Sequence, residues 1–497
     1  MRILAVDLGG SALKACLFDD DGAVVARARV DLSFVETRSG WSEAHPAQWW
    51  EALKDAVASI GASAGRASSI RVVSICGFTR TQVFLDANLD PVRPAIGFRD
   101  RRATEIGEAM RTMVSTGNPD FEQFNGFHPL ARLLWLREQE PLSWDRTRYV
   151  VEPKDFLNLK LTGAAMSDEV SHYWLAKAFE GGAKSLASLC GIDREVLPRL
   201  DRPHAFVGHV SAEAARELPM LSDASVVLGS NDTWSAVAGM EGLASGRAYC
   251  VSGSSEVTGM VSSSEAHAPG LSTVRWGENL WQIGGPGQNG SNTVDWVNAT
   301  LSRDASEDLG VETPSRPLIF LPYLLGERTP FWDADLRGAL LGLGADTQPS
   351  EIRRAVMEGV AYVNRAVMER AEAAAGQAST EMRIGGGGAR SAVWNQIRAD
   401  VLGRTVLAAT EPETGLAGCL ATALAALNGT DGRSDHTESN QRFIRYDPSP
   451  ARRDYYDDLF RLYGAAHDAV APISRQLASM ARRSSTHVNH TQEKELQ

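Results

Sequence analysis

Two stretches of this chain share one grammar, and together they restrict the folds open to it. The first is Ile3-Leu-Ala-Val-Asp7-Leu-Gly9-Gly10-Ser11-Ala-Leu-Lys14-Ala-Cys-Leu-Phe18. The second is Ala248-Tyr-Cys-Val-Ser252-Gly253-Ser254-Ser255-Glu-Val-Thr-Gly-Met260. Each is an apolar β-rich run, a tight Gly/Ser turn and a second β-rich run. Glycine lets the backbone approach a ligand closely, and successive turn N–H groups form an anion-binding concavity. Two such hairpins, half a chain apart, predict two related lobes holding one polyphosphate between them.

A chain of 497 residues is too long for one hydrophobic core, so two domains of roughly 200–250 residues are expected. The boundary falls at Gly242 to Gly246, which gives domains at 1–241 and 242–480. Residues 481–497 are polar and aperiodic, and a disordered tail is expected there. Val72 to Gly77 reads as a buried strand with Gln82 to Asp86 as its partner; Val226 to Gly229, Thr380 to Ile384 and Thr405 to Ala409 also read as strands. Helical runs follow at Thr233 to Met240, from Pro349 onward, at Ser391 to Leu402 and at Gly415 to Leu427. Strand and helix alternate in both halves, which predicts an α/β fold.

The net charge of −12 argues against a nucleic-acid partner, which calls for a basic face. It does not exclude ATP, because a phosphate site is built locally from backbone N–H groups and a metal ion. Five cysteines, odd in number and without a CxxC pair, exclude a disulfide framework and fit a reducing cytosol. Asp7 interrupts the first apolar run, so the start does not read as a signal peptide, and no apolar run is long enough to span a membrane. A cytoplasmic protein is expected.

Asp7 ends the first strand just before the glycines, where a carboxylate either caps a turn or holds Mg²⁺ beside a phosphate chain. Asp232 follows a buried strand and opens a helix. It either caps that helix or accepts the proton of an attacking hydroxyl, as phosphoryl transfer requires. Asp100-Arg101-Arg102 forms a hydroxyl-binding cluster or a solvated ion-pair network. Trp234, beside Asp232, either packs in the core, as most of the tryptophans are expected to, or stacks on the apolar face of a sugar. The turn Gly385-Gly386-Gly387-Gly388 lets an adenosine lie against the backbone. As a dinucleotide fingerprint it fails, because Arg390 or Ser391 stands where the third small residue belongs. No P-loop, zinc helix or Gly-x-Ser-x-Gly elbow is present.

Several longer motifs resemble the FGGY carbohydrate kinases, nearest to the xylulokinase-like branch. The most specific is Phe320-Leu-Pro-Tyr-Leu-Leu-Gly326-Glu327-Arg328-Thr329-Pro330, continuing through Arg337-Gly338 to Gly342-Leu343. Gly386-Gly-Gly-Ala-Arg390-Ser391-x-x-Trp394 is similar to the family's adenosine turn and helix, and Gly229-Ser-Asn-Asp232 to its Gly-x-x-Asp. The resemblance implies two actin-like (ribonuclease H-like) α/β domains with a cleft between them. It implies transfer of the γ-phosphoryl group of ATP to a sugar or polyol hydroxyl, with Asp232 as base and Mg²⁺ near Asp7. Implied ATP contacts are Gly9, Gly10, Ser11, Lys14, Gly253, Ser254, Ser255, Gly290, Gly386, Gly387, Gly388 and Ser391. Implied substrate contacts are Thr79, Arg80, Asp100, Arg102 and Trp234.

The sugar segment departs from the branch. Thr79 and Arg80 stand where xylulokinases carry Met and His, and the Asn-Asp-x-Arg motif is here Arg99-Asp100-Arg101-Arg102. Five fixed donors at Arg80 suit a differently configured or more acidic sugar. D-xylulose leads, with glycerol, L-xylulose, ribulose, tetritol and gluconate as alternatives. The expected partner is therefore a small sugar or polyol, with no nucleic acid and no membrane, and a homodimer is compatible. An actin-like chaperone has no room here for a peptide-binding domain. A dinucleotide oxidoreductase conflicts with the glycine spacing, and an inactive sugar sensor with the retained Asp7 and Asp232.

Overall fold

The structure, a computed structural model, describes all residues except 20, 65–69, 302–315, 431–441 and 496–497. It divides into two compact units: Met1–Ala244 with Val274–Trp281 and Glu413–His436, and Ser245–Thr273 with Gln282–Pro412 and Thr437–Gln497.

The first unit is built on a six-stranded sheet in the order Phe206–His209, Ser225–Val227, Val72–Gly77, Ile3–Leu8, Ala12–Phe18, Val24–Asp31. Ile3–Leu8 runs antiparallel to Ala12–Phe18 and parallel to Val72–Gly77, which is itself parallel to Ser225–Val227. Side chains alternate across a strand. Leu4, Val6 and Leu8 pack in the cluster that holds Trp49 and Leu53 of the Pro46–Ala64 helix. Ala5 packs in the opposite cluster, with Leu416 and Cys419. Val83–Leu85 pairs with Tyr149–Val151 rather than with Val72–Gly77. The expected pairing fails because both edges of Val72–Gly77 are already occupied by parallel neighbours.

The helix Thr414–Asn428 belongs to this unit although it lies far along the chain, beyond a cut at 242. Small residues let it lie close against the Asp232–Gly239 helix. A Cβ at Gly418 would stand 1.8 Å from the Ser235 carbonyl oxygen, and one at Gly239 would stand 2.1 Å from that of Thr414.

The second unit carries a seven-stranded sheet in the order Ser272–Gly277, Leu280–Pro286, Glu256–Ser262, Ala248–Ser252, Glu381–Gly385, Thr405–Ala409, Phe443–Tyr446. Its logic repeats that of the first: an antiparallel hairpin, then parallel strands reached through helices. The Pro349–Ala375 helix starts at a reciprocal capping box between Gln348 and Glu351, and ends at Gly376 in the left-handed region. Its Val367, Met368 and Ala371 pack on Met382, Ile384, Val406 and Ala408 of the sheet.

The last helix runs from Arg453 to Glu495, through most of the segment expected to be disordered. No glycine or proline interrupts it after Pro472, so neither of the two strongest helix breakers stands in that segment. No helix among the described residues is long and apolar enough to cross a membrane.

Candidate functional site

In the first unit the candidate residues gather at the carboxyl ends of parallel strands, where open α/β sheets place their ligands. Asp7 is paired across the sheet with Lys14 on one side and Cys76 on the other. A parallel bridge joins Gly77 to Asn231, which sets Asp232 beside the end of the Val72–Gly77 strand. The turn after Asp7 closes with the Gly9 N–H donating to the Ala12 carbonyl at 2.9 Å. Gly10 faces the Phe98 ring, 3.0 Å from where a Cβ would sit, so a side chain at this position would press on that ring.

Burial, and next the neighbouring Asp232 charge, push the Asp7 carboxyl up to about 6, with Lys14 pulling the other way. A Cβ on Gly415 would lie 3.0 Å from Asp7 Oδ2, so the first turn of the Thr414–Asn428 helix closes over this carboxylate. Lys14 Nζ donates to Glu413 Oε2 at 2.6 Å. Asp7, Asp232 and Glu413 thus form a concentration of negative charge that Lys14 only partly offsets. Among the described residues no group of three His, Cys, Asp or Glu is arranged to hold an ion by itself. Magnesium needs only one or two carboxylates when phosphate oxygens and water complete its octahedron. The donor set around Asp7 fits that cation.

Asp232 opens the helix but does not cap it. The cap is Asn231, whose Oδ1 accepts from the Trp234 N–H at 2.8 Å. Asp232 Oδ1 accepts from Thr233 N at 2.6 Å and from Thr233 Oγ1 at 3.2 Å, which leaves Oδ2 for other work. The side chain is solvent-accessible yet crowded by protein, and that desolvation raises its carboxyl above the ordinary value, against the pull of the Thr233 hydrogen bonds.

Three expected substrate contacts are placed differently. Trp234 is buried, and its Nε1 donates to the Trp276 carbonyl at 3.1 Å; it is a wall of the core, not a stacking face. Asp100 is fully buried. Its Oδ1 accepts from Arg102 N and Nε, and its Oδ2 from Arg102 Nη2 and Ser42 N. The Arg102 side chain is sealed between Trp41 and Trp135 and also pairs with Glu43 at 2.8 Å. This pair braces the loop from inside, because aromatic faces and a bidentate carboxylate hold the Nε and Nη2 side of the guanidinium.

Thr79 and Arg80 are half-buried just beyond the strand end. Arg80 sits at φ 55°, a costly left-handed backbone for a side chain of this size. Its Nη2 donates to Gln123 Oε1 at 2.9 Å, and its carbonyl accepts from Arg132 Nη1. Arg132, wholly buried, also donates to Gln82 Oε1 at 2.7 Å and to the Gly97 carbonyl at 2.8 Å. It is a tie that no local pattern signals. The second unforeseen group lies under the Asp232 loop. Lys154 Nζ is buried between Asp155 at 2.5 Å and Asp168 at 2.9 Å, and Asp168 Oδ1 accepts from Ser230 Oγ at 2.8 Å. Asn158 Nδ2 donates to the Leu228 carbonyl at 2.9 Å. Alternating charges in Glu152-Pro-Lys154-Asp155 were the one signal available for it.

In the second unit the hairpin turn Gly253-Ser254-Ser255 meets the start of the Ser291–Thr300 helix. Ser291 N donates to the Gly253 carbonyl, and Asn292 N to that of Ser254, both at 3.1 Å. A Cβ at Gly290 would press to 3.0 Å from the Ser254 carbonyl. Gly386, at φ 91°, and Gly388 lie against Ser252, whereas a Cβ on Gly387 would meet nothing within 4 Å. The glycine turn thus packs tightly below and opens above. Ser391 caps the Ala392–Leu402 helix through the Trp394 N–H at 3.3 Å, so its hydroxyl has a structural task. Glu327 Oε1 accepts from Gln288 N at 2.6 Å and its Oε2 from Asn289 Nδ2 at 2.9 Å. The most specific sequence motif is therefore a brace under the loop that carries Gly290.

The FGGY family of carbohydrate kinases matches through its N-terminal domain at residues 2–239 and its C-terminal domain at residues 248–427. The chain belongs to the FGGY carbohydrate kinases. It is 27% identical to the xylulose kinase of Lactococcus lactis subsp. lactis, over 96% of this chain and 98% of that one. It is 30% identical to the xylulose kinase of Klebsiella pneumoniae, over 80% and 84%. A solved xyloylose kinase from Brucella ovis superposes with a TM-score of 0.85 at 26% identity, over 95% of this chain and all of that one. A gluconate kinase from Lactobacillus acidophilus superposes at 0.84 with 23% identity, over 95% and 98%. This protein is a xylulokinase-like carbohydrate kinase with the two-domain actin-like α/β fold of its family.

Proposed function

We propose that this kinase transfers the γ-phosphoryl group of ATP to a hydroxyl of a small ketose or polyol, with D-xylulose the first candidate. The observation that carries the reading is the placement of Asp7 and Asp232 at the ends of parallel strands, close enough for one charge to raise the pKa of the other. Asp232, with its proton affinity raised and Oδ2 open, accepts the proton of the attacking hydroxyl. In the first unit the Gly9–Ser11 turn, with Lys14, offers donors to phosphate oxygens; in the second the Gly253–Ser255 turn offers its own, and Gly386, Gly387 and Gly388 lie under the adenosine. Asp7 holds Mg²⁺, which when bound neutralises charge building on the phosphates.

Arg80, in a fixed backbone and hydrogen-bonded to Gln123, belongs to the sugar side with Thr79; a permanent cation there brings aldonates such as gluconate into the substrate panel. The same reading makes the protein a cytoplasmic enzyme that acts on small molecules without nucleic acid or membrane, with 1–241 carrying the sugar site and 242–480 most of the nucleotide site. Homodimerisation is a further expectation, read by light scattering of the purified chain.

The test is ADP release with Mg-ATP against pentuloses, polyols, hexoses and aldonates, for wild type and Asp232→Asn. One sugar should give strong turnover that falls by about 10²–10⁴-fold in the variant, the range of a general base. Undiminished turnover in Asp232→Asn would remove that residue from the mechanism.

A further inference from the structure

Beneath the nucleotide cradle of the second unit lies a buried ion pair that no sequence motif announces. Arg398, with no exposed side-chain surface, donates from Nη2 to Ser252 Oγ at 2.8 Å and to Glu256 Oε1. From Nη1 it donates to Asn395 Oδ1 at 3.1 Å and reaches the Gly388 carbonyl at 3.4 Å. Its guanidinium carbon lies 3.7 Å from the centre of a Trp394 ring. Glu256 Oε1 accepts from Ser252 Oγ at 2.6 Å, and Oε2 from Asn364 Nδ2 at 2.9 Å. The Glu256 backbone accepts from Gly287 N at 2.7 Å and donates to the Asn289 carbonyl at 3.3 Å.

One charged pair therefore touches the two strands of the hairpin, the glycine turn and the loop before Gly290. Those are the segments that the proposed function assigns to phosphates and adenosine. We infer that Arg398, with Glu256, is a positioning residue: it sets the distance between the phosphate-binding hairpin and the adenosine-binding turn. The inference rests on the ATP reading of these segments.

The physical consequence is specific. A nucleotide that engages both segments at once gains from their correct spacing, as a two-headed ligand gains from a well-matched linker. Adenosine alone or tripolyphosphate alone engages one segment and gains nothing from the spacing. Arg398→Lys keeps the charge but loses the planar fork that reaches Ser252, Glu256 and Gly388 together. Ser252→Ala removes only the hydroxyl that bridges the pair.

The test is calorimetric binding of Mg-ATP, adenosine and tripolyphosphate to the full chain as wild type, Arg398→Lys and Ser252→Ala, with steady-state kinetics alongside. In Arg398→Lys the affinity for ATP should fall about tenfold or more, while each fragment changes by less than about twofold. KM for ATP should rise with KM for the sugar unchanged. Ser252→Ala should show a smaller loss of the same kind, and it decides the matter if Arg398→Lys does not fold. If ATP and fragments weaken by one common factor, or if melting temperature drops while the affinity ratio holds, Arg398 is merely structural and the inference falls. If wild type binds neither ATP nor its fragments, the kinase reading fails first and takes the inference with it.

Discussion

Gly418→Ala sets two effects of opposite sign against each other on the helix that closes over Asp7. Alanine in a helix interior is intrinsically favoured over glycine by about 1 kcal/mol. Against this, the new Cβ would stand 1.8 Å from the Ser235 carbonyl oxygen and 2.5 Å from its carbon, where ordinary contact is about 3.5 Å. The obstacle is backbone, so no rotamer change relieves it, and the Thr414–Asn428 helix must withdraw from the Asp232–Gly239 helix. Overpacking of this kind costs about 1–3 kcal/mol, and a rigid backbone contact belongs at or above the top of that range. The clash wins, with a net loss of about 2 kcal/mol, or roughly 4–8 °C in melting temperature. Asp232 begins the helix that is pushed, and a shift of about 1 Å at a reacting group is worth about 10²-fold in rate. Gly464→Ala is the matched control, because Gly464 lies inside a helix where an added Cβ would meet nothing within 4 Å. It should gain about 1 kcal/mol and leave turnover untouched. Calorimetric melting and saturating-substrate kinetics on both variants test this, and a Gly418→Ala enzyme that is more stable and fully active would refute the packing argument.

Burial holds the Glu152 carboxyl up to about 8, against an ordinary value of 4.5. The folded chain keeps this proton where the unfolded chain has released it, so the group's contribution to stability is full below 4.5 and declines as pH rises toward 8. Glu152→Gln should therefore gain in melting temperature relative to wild type as pH rises; a difference independent of pH would contradict the assignment. Asp100→Ala takes the bidentate partner from buried Arg102 and leaves it only Glu43, which should cost about 1–3 kcal/mol of stability. A raised sugar KM at unchanged melting temperature would instead return Asp100 to the substrate. Arg80→His should redistribute kcat/KM among sugars while leaving KM for ATP within about twofold, and an unaltered sugar profile would take Arg80 out of the pocket.

Much of this kinase is legible in local pattern. The two Gly/Ser hairpins, the tetraglycine turn, the Pro349 helix start and the strand before Asp232 follow from short-range rules of period, turn chemistry and capping. The positions of Asp7 and Asp232 beside strand ends follow from the apolar runs that precede them. Local pattern failed where burial was the question. Asp100-Arg102 and Trp234 carry polar groups that look ready for a ligand, and each is buried with a protein partner.

The sequence alone determined the repeated strand-turn-strand units, the glycine turns between their strands, and the family to which they belong. Only the tertiary structure decided which distant segments share a neighbourhood. Lys14 meets Glu413 across 399 positions, the Thr414–Asn428 helix joins the first unit, and Arg398 reaches back 142 positions to Glu256. The reason is physical: period and turn chemistry act over a few residues. A buried charge must instead find its partner wherever the packed chain brings one.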